Sequence, residues 1–179
     1  ARMQRLLRHW AYSRRRGDND REALDAVMTT LTKIARGGIH DHNSGGLFSY
    51  AHDPQWMVPT FDKKLYDNAQ MLPIFAAALT LGQDDLFHGT MSGMADWMQT
   101  TLLTPEGAFV AGEDGESHGQ NGQYFLWRRE QLKKLLSEDE YLLVETLFGL
   151  DKLANVGNYW NLHRHDSYRS VVDLSLIHI

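Results

Sequence analysis

Asp62-Lys63-Lys64-Leu65-Tyr66-Asp67-Asn68-Ala69-Gln70-Met71-Leu72-Pro73-Ile74-Phe75-Ala76-Ala77-Ala78-Leu79 is the stretch on which the fold turns. Asp62 stands where a carboxylate can cap a helix, and Leu65, Ala69, Leu72, Ala76 and Leu79 recur at three- and four-residue steps. Pro73 removes one backbone donor and crowds the turn before it, so it predicts a kink inside this helix. Upstream, Leu24, Val27, Met28, Leu31, Ile34 and Ala35 make a second amphipathic helix. Asn19 or Asp20 can cap it, and Gly37-Gly38 ends it. Before that, Met3 to Arg15 carries Leu6, Leu7, Trp10 and Ala11 on one face. Downstream, Asp85 to Leu102 places Phe87, Met91, Met94, Met98 and Leu102 inward.

After Thr104-Pro105-Glu106-Gly107 the period changes. Ala108 to Ala111 and Gln123 to Trp127 are β-prone runs around the Gly-rich stretch Gly112 to Gly122, which predicts a long-looped hairpin. A short helix follows over Glu130 to Leu136. Ser137 and Glu140 then form a capping-box pattern before Tyr141 to Phe148, which Gly149 ends. The expected fold is all-α, built of antiparallel helical hairpins with one small β-hairpin.

Composition narrows the function classes. The chain has 179 residues, 42% hydrophobic and 23% charged, a globular composition. It has no Cys, which excludes disulfides, thiolate metal sites and a cysteine nucleophile within these residues. The longest nearly apolar run, Met71 to Leu81, falls well short of the about 20 residues of a membrane span. No apolar segment of signal-peptide type follows the first basic residues, so a soluble, cytoplasmic chain with no membrane partner is expected. Charge is uneven. Residues 1–36 carry nine Lys/Arg against four Asp/Glu, residues 37–151 six against seventeen, and residues 152–179 three against two. An acidic middle argues against a nucleic-acid partner, which needs a basic face. Both ends look cut, and the apolar tail over 166–179 reads as truncated and non-native.

Gly37-Gly38-Ile39-His40-Asp41 through Gly45-Gly46-Leu47-Phe48-Ser49-Tyr50 begins a longer signature. Asp53, Trp56, Val58, Pro59, Phe61, Lys63 and Leu65-Tyr66-Asp67-Asn68-Ala69-Gln70 complete it. The signature resembles the thioredoxin-domain-containing family of bacterial YyaL-like proteins and mammalian spermatogenesis-associated protein 20. The likeness continues through Thr104-Pro105-Glu106-Gly107, Glu113-Asp114-Gly115-Glu116 and Tyr124-Phe125-Leu126-Trp127 to Trp160-Asn161-Leu162-His163. It implies that residues 1–165 are part of an α/α toroid of six helical hairpins, similar to six-hairpin glycosidases and sugar epimerases. It also implies a thioredoxin-like domain as a partner elsewhere in the full-length chain. Thr60, Asp62, Lys64, Ser44 and Ser49 stand where the family's wording has His, Glu, Met, Gly and Arg, so a neutral base and a fixed cation are absent from this copy.

The chemistry-bearing residues gather in two Gly-rich segments. Between Gly37 and Thr60, His40-Asp41-His42 offers proton-transfer groups, although adjacent residues converge poorly on one ion and serve well as loop hydrogen-bonding groups. Asp62, Tyr66, Asp67 and Asn68 lie at a helix start, where a cap and a pocket wall are both open readings. Glu113, Asp114 and Glu116 occupy the second segment beside Ser117 and His118, either as a solvated tip or as the second half of an acid–base pair, in which Asp67 faces one of Glu113 or Asp114. The candidate catalytic residues are therefore Asp67, Glu113, Asp114 and His40. The candidate substrate contacts are Asp41, Trp56, Asp62, Tyr66, Asn68 and Glu116, with Trp56 as a sugar-stacking platform. Trp97 reads as core, and His163 and His165 read as structural. No metal and no cofactor is called for. The expected ligand is a carbohydrate-like small molecule, turned over by hydrolysis or epimerisation. A non-catalytic binding module, or a scaffold coupled to a thioredoxin-like domain, are the alternatives. The 37–62 and 112–118 segments are expected to meet over the start of the Tyr66-Asp67-Asn68 helix.

Overall fold

The computed structural model describes residues 2–18, 20–82 and 84–165, so the expectation for the 166–179 tail lies outside the described residues. Six α-helices and one π-helical turn hold about half of the described residues. They are α1 (Arg2–Arg15), α2 (Arg21–Arg36), α3 (Leu65–Leu79), α4 (Asp85–Trp97), α5 (Arg129–Leu135) and α6 (Glu138–Phe148). None is long and apolar enough to cross a membrane. The fold is mostly helical with small β elements, as the patterning predicts.

Caps set several of the helix ends. The Asp20 carboxylate accepts from Ala23 N at 3.2 Å at the start of α2, and Asp84 accepts from Leu86 N and Phe87 N at 2.9 and 3.1 Å at the start of α4. At α6, Ser137 and Glu140 form the reciprocal box, and Gly149 ends the helix in the left-handed conformation. The main core is built by α1 to α4 around Val27, Leu31, Ala35, Phe75, Ala78, Phe87 and Met94. A second cluster joins α5 and α6 through Leu132, Phe148, Leu150 and Leu162.

Three local expectations need correction. The helix after Asp62 starts at Leu65, and Asp62 does not cap it: Lys64 is the N-cap residue and makes no side-chain cap bond. Lys63–Lys64 instead form a short strand, β1, paired antiparallel with Gly112–Glu113, β2. The hairpin lies inside the stretch read as a loop: Glu116–Ser117, β3, pairs with Gln120–Asn121, β4, while 108–111 and 123–127 do not pair with each other. The buried stripe of α3 is Asn68, Ile74, Phe75 and Ala78, whereas Ala69 and Ala76 are exposed. A helix that is apolar on nearly every side gives periodicity no purchase. The helix beginning at Asp85 also changes to π geometry over Met98–Leu102, which keeps Met98 and Leu102 buried beside Trp97.

Candidate functional site

The strand pairing that displaces Asp62 from its expected role aims Lys63 inward. Lys63 is fully buried. Its ammonium reaches Asp41 Oδ2 at 2.9 Å, Glu113 Oε2 at 3.0 Å and the Gly45 carbonyl at 3.2 Å. Three acceptors match the three donors of an ammonium, the condition under which burying one is tolerable. The rings of Trp97 and Phe125, each 4.9 Å from Nζ, complete the cage. Trp97 Nε1 donates to the same Glu113 oxygen at 2.9 Å. The other Asp41 oxygen accepts from Asn43 N and Ser44 N, both at 3.0 Å, and so fixes the turn after it.

Asn68 does similar work one helical turn on. Buried in α3, it accepts from Leu47 N at 2.7 Å and donates to Leu47 O and Lys64 O, both at 3.0 Å. Its amide thereby pairs with the loop backbone as a strand would. Gly46 must be glycine here, because φ is +81° and a Cβ would meet the Trp97 ring at 2.8 Å. His40 is buried with Nδ1 at 3.1 Å from the Ala35 carbonyl. Its ring lies edge-on to His42, centroids 4.4 Å apart. Burial, against the smaller opposing effects of the Ala35 carbonyl and Asp41, lowers the His40 pKa to about 4. Trp56 has a left-handed backbone and packs on the main core.

The 37–62 and 112–118 segments meet at the start of α3. Gly115 is so close to the Phe61–Asp62 peptide that a Cβ would lie 2.5 Å from the Phe61 carbonyl carbon. Outside this seam lies a cleft of about 630 Å³, whose wall includes Asp62, Lys64, Tyr66, Glu113, Asp114 and Glu116, with Thr60 and Asn121 beside them. Lys64 Nζ pairs with Asp62 at 3.2 Å. Partial burial acts to raise the Asp62 pKa, but hydrogen bonds from Thr60 and Lys64 and the Lys64 charge outweigh it and hold the carboxyl below its ordinary value. Asp114 Oδ1 accepts from Glu116 N at 3.0 Å, which shapes the rim. Tyr66 is mostly exposed, its side chain forming part of the wall. The cleft thus offers carboxylate acceptors together with ammonium, phenol and amide donors.

Of the residues singled out by sequence, the fold brings Asp62, Tyr66, Glu113, Asp114 and Glu116 to this cleft. His40, Asp41, Trp56, Asp67 and Asn68 are not in its wall, and among them His40, Asp41 and Asn68 are buried with hydrogen bonds of their own. Sequence reasoning missed Lys63 as a site residue. The available signals were its place in the family-like signature and its position directly after Phe61-Asp62 and before a helix, in a run too short for periodicity to read. Among the described residues, no group of three His, Asp or Glu side chains is placed to hold a metal ion.

No family model matches the chain. It is 32% identical over 166 residues to human spermatogenesis-associated protein 20, covering 84% of this chain and 21% of that protein. It is 29% identical over 168 residues to the mouse protein of the same name, covering 86% and 21%. An uncharacterized protein of Caenorhabditis elegans is 29% identical over 169 residues, 86% of this chain and 23% of that one. The chain therefore spans about a fifth of the length of the curated relatives it matches. Over most of its own length, the chain is similar to a stretch of about a fifth of the spermatogenesis-associated protein 20 proteins, consistent with a fragment of that family.

Proposed function

We propose that this chain supplies, within a longer α/α toroid, one wall of a site for a carbohydrate-like small molecule. The observation that carries the reading is the gathering of Asp62, Glu113, Asp114 and Glu116 in one cleft with Lys64 and Tyr66. Sugar hydroxyls both donate and accept, and carboxylates together with cationic and phenolic donors suit them. Glu113 has Oε2 fixed by Lys63 and Trp97, so its second oxygen has a defined direction, as proton transfer requires. Asp114, which shares the cleft wall as Asp67 does not, takes the place expected of Asp67 as the other carboxylate of the pair. Together they are the groups for hydrolysis or epimerisation in the full-length protein.

A second reading, binding without chemistry, rests on a specific observation. His40 and Asp41 are spent on the Ala35 carbonyl and on Lys63, and Thr60 contributes no base to the cleft. Thermal shift of the full-length protein against a panel of neutral sugars tests both readings. Stabilisation by one sugar class, lost in Asp114→Asn and Glu116→Gln, is expected. Turnover of that sugar, abolished by Glu113→Gln at unchanged affinity, selects catalysis. Binding with no turnover selects the second reading, and a sugar panel without any shift rejects both.

A further inference from the structure

On the opposite chemical theme, a second cleft of about 680 Å³ lies between the start of α5 and the 152–160 segment, with Arg128, Arg129, Lys152 and Trp160 in its wall. We propose that it binds a small phosphomonoester, with the three cations clasping the phosphate. The stretch 37–151 is strongly acidic, yet here three cations face one space with Glu130 as the carboxylate of the wall. None of the three has a carboxylate within ion-pair distance among the described residues. Three positive charges against one negative leave a surplus that matches a phosphate dianion better than a monoanionic carboxylate.

The cations are held in place without being neutralised. Arg128 lies over the Tyr159 ring at 4.5 Å and donates to its hydroxyl. Arg129 lies over Trp160 at 4.7 Å and donates to the Lys152 carbonyl at 2.8 Å. Lys152 Nζ is 3.1 Å from His165 Nδ1. Backbone bonds between Trp127 and Trp160, 3.0 and 2.8 Å, tie the two sides of the cleft together. Stacked guanidinium groups lose little freedom on binding, and the terminal N–H groups not spent on Tyr159 and Lys152 remain for an oxyanion. Arg129 Nε and Trp160 Nε1 are buried behind this wall without an acceptor among the described residues. A concave space of this size suits a small molecule better than an extended polymer.

Calorimetric titration of the chain at physiological ionic strength tests the assignment, using inorganic phosphate, a hexose phosphomonoester and the unphosphorylated hexose. Saturable binding of both phosphates is expected, with the phosphomonoester tighter. Arg128→Gln and Lys152→Gln change exposed side chains, and each is expected to weaken binding about tenfold. Arg129→Gln weakens it further, with circular dichroism reporting whether the fold survives. Asp114→Asn in the first cleft leaves phosphate binding unchanged, which separates this proposal from the sugar site. Equal binding of the hexose and its phosphate, no saturable phosphate binding, or full affinity in both Arg128→Gln and Lys152→Gln overturns it. Recognition confined to phosphorylated peptides overturns the small-molecule assignment as well.

Discussion

At the scale of single residues, the centre of this structure is a cation that sequence gives no reason to bury. Lys63 is encased because its acceptors come from 22 residues upstream, at Asp41, and from the strand partner Glu113. No local pattern encodes a contact between such distant positions. Removing the cation strands two carboxylates, so Lys63→Met is expected to cost about 3–5 kcal/mol in urea melts. Adding Asp41→Asn to that variant should recover part of the loss, and a purely additive double variant would deny the coupling. His40 sets a pH dependence. Its folded pKa, about 4, is depressed below the unfolded value near 6.5 by burial. The imidazole is neutral in both states above pH 6.5. Between 6.5 and 4 the unfolded chain takes up the proton first, so stability falls with pH across that window, by roughly 3 kcal/mol for this group. His42, also lowered by burial, acts in the same direction. His40→Gln should flatten the dependence of the urea midpoint between pH 7 and 4.5; an unchanged slope would free His40 from this role.

Elements divide by whether their signals are local. The starts of α2 and α6 are legible because Asp20 and Ser137 bond to backbone within three residues of themselves, and Asp84, unread in the sequence, caps α4 in the same local way. The start of α3 is not, because β1 pairing with β2 is decided by a segment about fifty residues away. The face of α3 is equally hidden, since Ala76, Ala77 and Ala78 are alike in hydropathy and only tertiary packing chooses Ala78. Its energetics follow the observed face. Phe75, fully buried against Phe87 with centroids 5.5 Å apart, should cost about 3–5 kcal/mol on truncation to Ala. Leu72, half-buried between two clusters, should fall near the low end of the about 2–5 kcal/mol typical of Leu→Ala. Ala76→Ser, on the exposed side, should stay within about 0.5 kcal/mol. A ranking with Ala76 above Phe75 in denaturant melts would restore the stripe that periodicity suggests.

Across the whole molecule, the α1–α4 core and the α5–α6 cluster are distinct apolar bodies; a smaller cluster of Phe48, Phe61 and Phe125 shares Ile39 with the first, Phe148 of the second packs edge-on to His42, and polar contacts complete the joint. Asn161 is the principal joint. Buried, it donates through Nδ2 to Gly38 O at 2.7 Å and Met57 O at 2.9 Å, more than a hundred residues back, while its N–H bonds the Asn155 side chain at 2.9 Å. Asn155 donates in turn to Met57 O, and Arg164 N to Arg36 O at 2.7 Å. These bonds fasten the second cluster to the end of α2 and to the same long loop whose other side reaches the carboxylate cleft. Asn161→Ala takes the donor from the buried Gly38 carbonyl and leaves Met57 O only the longer bond from Asn155, for an expected loss of about 1–3 kcal/mol. Its distinctive consequence is a matter of coupling. With the joint cut, α5 and α6 should open independently, so their amide hydrogen exchange should accelerate well beyond that of α2 and α4. Asn161→Asp keeps the size and shape of the side chain but turns its donor into an acceptor, and should behave like Asn161→Ala. Uniform acceleration of exchange over all six helices in both variants would mean that the two clusters form one cooperative unit, with Asn161 contributing only to its total stability.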